Sequence, residues 1–210
     1  MKMDLGYTRL IVEECRKAGL LRNQCAYVLA TAYHETAHTM KPVREMGGEK
    51  YLKSKPYYPY VGMGFVQLTW KRNYEKAGKA LGVDFVANPK KLLEPAYSAA
   101  ILVTGMKEGW FTGKSLEDYI TLYKSDYTGA RRIVNGTDRA KLIAGHAVEY
   151  DAALKAMGYG EEKPVDPAKP APAPSPAPVP QSPPAPKPAP KRGILAIIFE
   201  IIGKILKGGR

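Results

Sequence analysis

Gly62-Met63-Gly64-Phe65-Val66-Gln67-Leu68-Thr69-Trp70 begins at the end of a stretch, residues 41–64, that lacks sustained helical periodicity although the segments on either side of the lobe have it. Two glycines around one side chain, just before an apolar-polar run, fit a tight hairpin entering a short strand over residues 65–68. Residues 41–64 are rich in Gly, Pro, Tyr and Lys and read as loop with short strands. On its N-terminal side, residues 7–18 place Leu10, Ile11, Val12 and Cys15 ahead of a stop at Gly19. Residues 23–36 repeat Val28, Leu29, Ala32 and Tyr33 at helical spacing. On the other side, helices are predicted over 71–81, 96–107 and 138–157, closed by Gly82, Gly109 and Gly158, with Asp138 as N-cap of the last. The pattern predicts a mainly α domain whose one irregular lobe carries a small β-hairpin.

Charge and proline divide the chain into unequal parts. Of 18 prolines, thirteen lie between Pro164 and Pro190. The net charge of +12 splits into +8 through Gly160 and +4 beyond it. Residues 1–160 therefore read as the folded domain and 161–192 as a Pro/Ala linker. Proline fixes φ and removes a donor, so such a linker is extended at about 3.1 Å per residue. Residues 193–210 change character again. Ile194, Ile198, Phe199, Ile201, Ile202 and Ile205 belong to a broad apolar face, while Lys204 and Lys207 share a narrow polar one with Glu200. Thirteen apolar-rich residues make roughly 20 Å of helix, short of the ~30 Å hydrocarbon core, so the segment is suited to lie in a membrane interface. Anionic phospholipid or lipopolysaccharide is the partner this predicts; docking on the domain or self-association is the alternative.

Several classes are disfavoured. Two cysteines, Cys15 and Cys25, do not make a disulfide framework, and both fall in predicted helices where buried thiols are expected. The N-terminus has no apolar segment of the secretory type and carries Asp4, which predicts synthesis in a bacterial cytoplasm without signal-directed export. The basic charge permits an anionic partner, but no interleaved aromatic and basic motif supports nucleic acid. No cofactor or metal is expected, and the domain reads as a monomer.

His34-Glu35-Thr36-Ala37-His38 matches the H-E-x-x-H zinc-peptidase pattern. On one helix those histidines would stand a turn apart and share a metal. Pro42 follows closely, Lys41 and Arg44 stand where the extended pattern wants Gly and His, and the remaining histidine is the distant His146. The same segment also offers paired carboxylates: Glu35 at a helix end and Glu45 in the loop ten residues on. Glycoside hydrolysis needs one carboxylic acid to protonate the leaving oxygen and a second carboxylate on the opposite face.

His34-Glu35-Thr36, Arg44-Glu45, the 62–70 stretch, Asn73-Tyr74 and Arg132-Ile133-Val134-Asn135-Gly136 together resemble family 19 glycoside hydrolases. Within that family the resemblance is to bacteriophage endolysins related to plant chitinases. It covers about residues 20–157 and implies a lysozyme-like, two-lobed α+β fold with a groove between lobes. It also implies an inverting reaction with Glu35 as general acid and Glu45 as general base, roughly 6.5–9.5 Å apart to admit a water. Physical chemistry is consistent with this: an apolar helix would desolvate Glu35, while Arg44 beside Glu45 would favour its ionised form. By resemblance, Thr69 holds the water, Gln67 and Asn73 bind sugar groups, Asn135 contributes from the far wall, and Arg132 orients Glu45 or the sugar. Tyr60, with Tyr51, Tyr57 and Tyr58, could stack on sugar faces or pack the loop. Met63 departs from the family, which usually has Arg between the two glycines. The function implied is a peptidoglycan-degrading endolysin acting on glycan strands, held in the cytoplasm until lysis. A chitinase, a zinc peptidase and a chiefly membrane-active antibacterial protein are the competing readings.

Overall fold

The computed structural model describes residues 1–161. The assignments to 162–192 and to the membrane-facing tail, including Ile194 and Lys207, lie outside the described residues. Six helices are present among them: α1 (Thr8–Lys17), α2 (Arg22–Glu35), α3 (Glu49–Lys53), α4 (Lys71–Leu81), α5 (Pro95–Glu108) and α6 (Ala140–Ala156). Two strands, β1 (Val43–Arg44) and β2 (Met63–Gly64), and two 3-10 turns, Pro89–Leu93 and Gly129–Ile133, complete the set. The mainly helical expectation holds, with the irregular lobe where the periodicity fails.

Helix α2 is the axis of the domain. Every residue from Cys25 to Ala32 is buried, as a helix apolar on all sides must be. It packs chiefly on α6, while α1 packs on α5. Leu29, Leu102 and Ile143 are fully buried, each contributing roughly 1.5–3 kcal/mol of burial. The N-terminal end of α2 is tied to α6 by Arg22, whose Nε donates to Asp151 at 3.0 Å. Asn23 and Gln24 donate to the carbonyls of Thr121 and Ile120, which fixes the 120–125 loop there. At the other end, Thr36 turns its hydroxyl back onto the Ala32 carbonyl at 2.8 Å and accepts from the Met40 N–H. That exchange ends the helix at Glu35, one residue short of the predicted boundary. Cys15 and Cys25 are both buried free thiols, and burial, reinforced by Cys25, pushes the Cys15 thiol up.

The hairpin differs from the sequence expectation. Strand β2 is Met63–Gly64, paired antiparallel with β1 in the register Val43↔Gly64 and Arg44↔Met63. Residues 65–68 form not a strand but a tight reversal, closed by Met63 N–H to Leu68 O at 3.1 Å and Leu68 N–H to Met63 O at 2.8 Å. Gln67 at φ +53° makes the reversal possible. The Phe65 N–H donates to Ser98 Oγ at 2.7 Å, docking the reversal on α5. Gly64 sits at φ +87°, and a Cβ there would meet Ser98 Oγ at 2.6 Å, so both backbone and space demand glycine.

Helix α6 begins at Ala140 instead of 138. Asp138 is not its N-cap: Arg139 occupies that position in a left-handed conformation, φ +56°. The Asp138 carbonyl instead accepts from Arg131 Nε at 3.0 Å. Helix α3 and the two 3-10 turns arise in stretches too short or too polar to show periodicity. Among the described residues, no helix is long and apolar enough to cross a membrane.

Candidate active site

Glu35 is the last residue of α2, and its side chain is 18% exposed. Its Oε1 accepts from Arg131 Nη1 at 2.8 Å, and the Arg131 side chain is only 3% exposed. Arg131 is held in turn by the Asp138 carbonyl, so a 3-10 turn almost a hundred residues downstream fixes the helix-end carboxyl. The purely apolar setting expected for Glu35 is therefore replaced by a part-buried ion pair with a buried guanidinium. Immediately after it, Ala37, His38 and Met40 have φ of +48°, +67° and +53°. Three non-glycine residues in the left-handed region mark a backbone held by its surroundings, a feature that concentrates at functional sites.

Glu45 follows β1 and is fixed at both carboxylate oxygens. Tyr57 Oη donates to Oε1 at 2.6 Å, and the Gly62 N–H donates to Oε2 at 2.9 Å. The Glu45 N–H returns a bond to the Gly62 carbonyl at 2.7 Å. The hydrogen bond to Glu45 is the main cause that pushes the Tyr57 hydroxyl up to about 12, so it remains a donor through the neutral range. Arg44 does not serve Glu45; it reaches Glu49 at 2.8 Å.

Gln67 spends both amide hydrogens on backbone, donating to Val43 O at 2.9 Å and Gly64 O at 3.1 Å. Its Oε1 and Thr69 Oγ1 converge on Gly62, lying 3.0 and 3.3 Å from where a Cβ on that glycine would stand. Thr69 is thereby placed beside the backbone that holds Glu45, with its own proton directed to the Gln67 carbonyl at 2.8 Å. Asn73 Nδ2 donates to the Thr69 carbonyl at 2.7 Å. A cavity of about 490 Å³ is lined by Glu35, Thr36, Val43, Met46 and Gln67. A second, of about 170 Å³, is lined by Gln67, Thr69, Asn73, Phe111 and Val134. Gln67 lines both cavities, at the C-terminal end of α2.

Other expected site residues are placed differently. Tyr60 is half-buried and meets Tyr74 edge-on at 5.4 Å, packing the lobe. Trp70 meets Tyr57 edge-on at 5.5 Å and stays partly exposed. Asn135 is exposed, and its Oδ1 accepts from the Gly136 N–H at 2.8 Å, which makes it a turn former next to the groove residue Val134. Arg132 is exposed and orients neither carboxylate; its neighbour Arg131 makes the contact with Glu35. Arg131 and Tyr57 are the supporting residues that sequence reasoning did not assign to the carboxylates.

The zinc pattern does not form a zinc geometry. The helix ends between its histidines, and His38 turns back to stack on Tyr33 at 4.4 Å while meeting His146 at 5.8 Å. His34 stays at the end of α2, its pKa lowered chiefly by burial. Among the described residues there is no group of three His, Cys, Asp or Glu able to hold a metal ion.

No family model matches the chain. It is similar to two curated plant proteins: endochitinase 1 of Theobroma cacao, 42% identical over 55 residues, and endochitinase CHI of Arabidopsis thaliana, 29% identical over 106 residues. These matches cover 23% and 46% of this chain but only 17% and 34% of the relatives' own lengths. Among solved structures, chitinase C from Streptomyces griseus aligns with a TM-score of 0.48 at 20% identity, covering 65% of this chain and 59% of that one.

Proposed function

We propose that the domain is a glycoside hydrolase of the family 19 type that cleaves β-1,4 bonds in the glycan strands of bacterial peptidoglycan by inversion. The observation that carries the reading is the pair of differently held carboxylates: Glu35, bonded through one oxygen to a buried guanidinium, and Glu45, held through both oxygens by Tyr57 and Gly62. In this reading Glu35 delivers a proton from Oε2 to the departing glycosidic oxygen. Glu45 takes a proton from a water whose second hydrogen is accepted by Thr69 Oγ1, and the resulting hydroxide oxygen bonds to the anomeric carbon as the old bond breaks. General acid–base catalysis of this kind contributes about 10²–10⁴-fold per group. Gln67 and Asn73 line the adjoining groove and have the spare acceptor oxygens to meet sugar amide and hydroxyl groups. Asn135 belongs to the far wall as a sugar contact, and Tyr60 acts by packing the lobe.

Residues 193–210 act as a cationic, membrane-active tail after a Pro/Ala-rich linker, aiding access to the wall from outside, where each Lys or Arg near an anionic surface adds about 1 kcal/mol. The protein in this account is an endolysin that stays in the bacterial cytoplasm until lysis. Chitin hydrolysis is the second reading, favoured by the similarity to plant endochitinases. Comparing release of reducing ends from purified peptidoglycan and from chitin tests both. Glu35→Gln and Glu45→Gln are each expected to lose at least about 10²-fold on the true substrate. Full activity in both variants would sink the mechanism.

A further inference from the structure

Arg131 and Arg132 are consecutive on the 3-10 turn Gly129–Ile133, yet they face opposite ways. Arg131 is buried against Glu35. Arg132 instead lines a separate cavity of about 410 Å³, together with Arg139, Lys141 and the threonines Thr128 and Thr137. Among the described residues, none of the three cations has a carboxylate within ion-pair distance, whereas Arg22, Arg44 and Arg131 all do. No Asp or Glu lines the cavity. Its position is tied to the C-terminal end of α2, since Arg131, which donates to Glu35 at 2.8 Å, also donates to the carbonyl of Asp138, the residue before Arg139, at 3.0 Å. A cavity lined by three cations and no acid, with Ala140 and Leu142 supplying apolar surface between them, favours an anion over a neutral sugar ring. It suits a carboxylate, which arginine meets with paired N–H donors.

We propose that this cavity receives a carboxylate of the peptide stems carried by peptidoglycan strands, and so favours stem-bearing glycan over neutral glycan. The inference rests on the glycoside hydrolase reading and names what distinguishes its substrate. Catalysis does not require the cavity: the two carboxylates and their partners are all elsewhere. The cavity supplies an electrostatic contact that strengthens binding and association, and added salt weakens it.

The test compares the wild-type chain with Arg139→Gln/Lys141→Gln on three substrates: intact peptidoglycan, peptidoglycan stripped of phosphate polymers by acid, and glycan strands freed of stems by an amidase, with the lactyl carboxylates that this exposes capped as neutral methyl amides. The double variant is expected to lose about five- to tenfold in rate at low substrate on both stem-bearing preparations. It should match wild type on stripped strands, and Arg139→Lys/Lys141→Arg should restore activity. A loss that disappears once phosphate polymers are removed would overturn the carboxylate assignment in favour of phosphate. Equal rates for both proteins on every substrate would overturn the site, as would an equal loss on stripped strands. Circular dichroism melting keeps a folding defect apart from these outcomes. A wild-type chain inactive on all three would remove the hydrolase reading and this inference with it.

Discussion

Removing Arg131 should do more damage than removing most groove residues, because it leaves the Glu35 carboxyl without its buried partner. Arg131→Leu is expected to lower unfolding free energy by about 1–3 kcal/mol in urea titration, the cost of leaving a part-buried carboxylate without its charged partner. Glu35→Leu/Arg131→Met should regain much of that stability while remaining inactive, which separates the structural role of the pair from its chemical one. Tyr57 is the corresponding support of Glu45. Tyr57→Phe deletes one 2.6 Å bond to the carboxylate. It should reduce kcat by about tenfold with little change in KM, in keeping with a hydrogen bond to a charged group. Glu35 and Glu45 were legible in the sequence because they stand in a motif with ordered neighbours. Arg131 was not: two adjacent arginines look alike until a 3-10 turn sends one inward and the other out. Tyr57 was legible as an aromatic, but its hydroxyl acquires meaning only when residues 57–62 fold against Glu45.

At the scale of elements, the hairpin and α6 set the limits on tolerated change. Gly64→Ala places a Cβ at positive φ and against Ser98, and should destabilise the fold by at least about 1 kcal/mol in thermal or urea unfolding. The two histidines with shifted pKa values give the fold a pH dependence of definite sign. Burial lowers His34 and His146 below the ordinary imidazole value, and the Nε2 of His146 is buried without a hydrogen-bond partner. The unfolded chain therefore takes up protons first as the pH falls. Their stabilising contribution is complete above about pH 6.5 and is lost as the pH drops through the folded-state values. Melting temperatures measured from pH 8 to pH 5 should fall less steeply for His146→Gln than for wild type. Helix existence was readable from periodicity and glycine stops, and α4 matched its expected ends. The hairpin register was not, because it depends on Gln67 adopting a left-handed conformation that its side chain does not announce. The zinc pattern misled for the same kind of reason: five letters presume one continuous helix, and the Thr36 hydroxyl ends it halfway.

On the scale of the whole molecule, a basic domain carrying the groove is followed by sequence of quite different composition. If residues 193–210 bring the enzyme to the wall through an anionic membrane, a chain ending at residue 192 should hydrolyse purified peptidoglycan at the wild-type rate yet kill intact Gram-negative cells less well. Equal killing would remove the tail from the account. The two carboxylates and the supporting Tyr57 and Arg131 bear on one claim, that the bond broken is glycosidic. Mass spectrometry of peptidoglycan digested by the wild-type chain, with Glu35→Gln alongside, tests that claim most directly. The account predicts fragments with new reducing-end sugars and intact stem peptides, absent from the variant digest. Cleaved stem or cross-link amides with uncut glycan strands would contradict it.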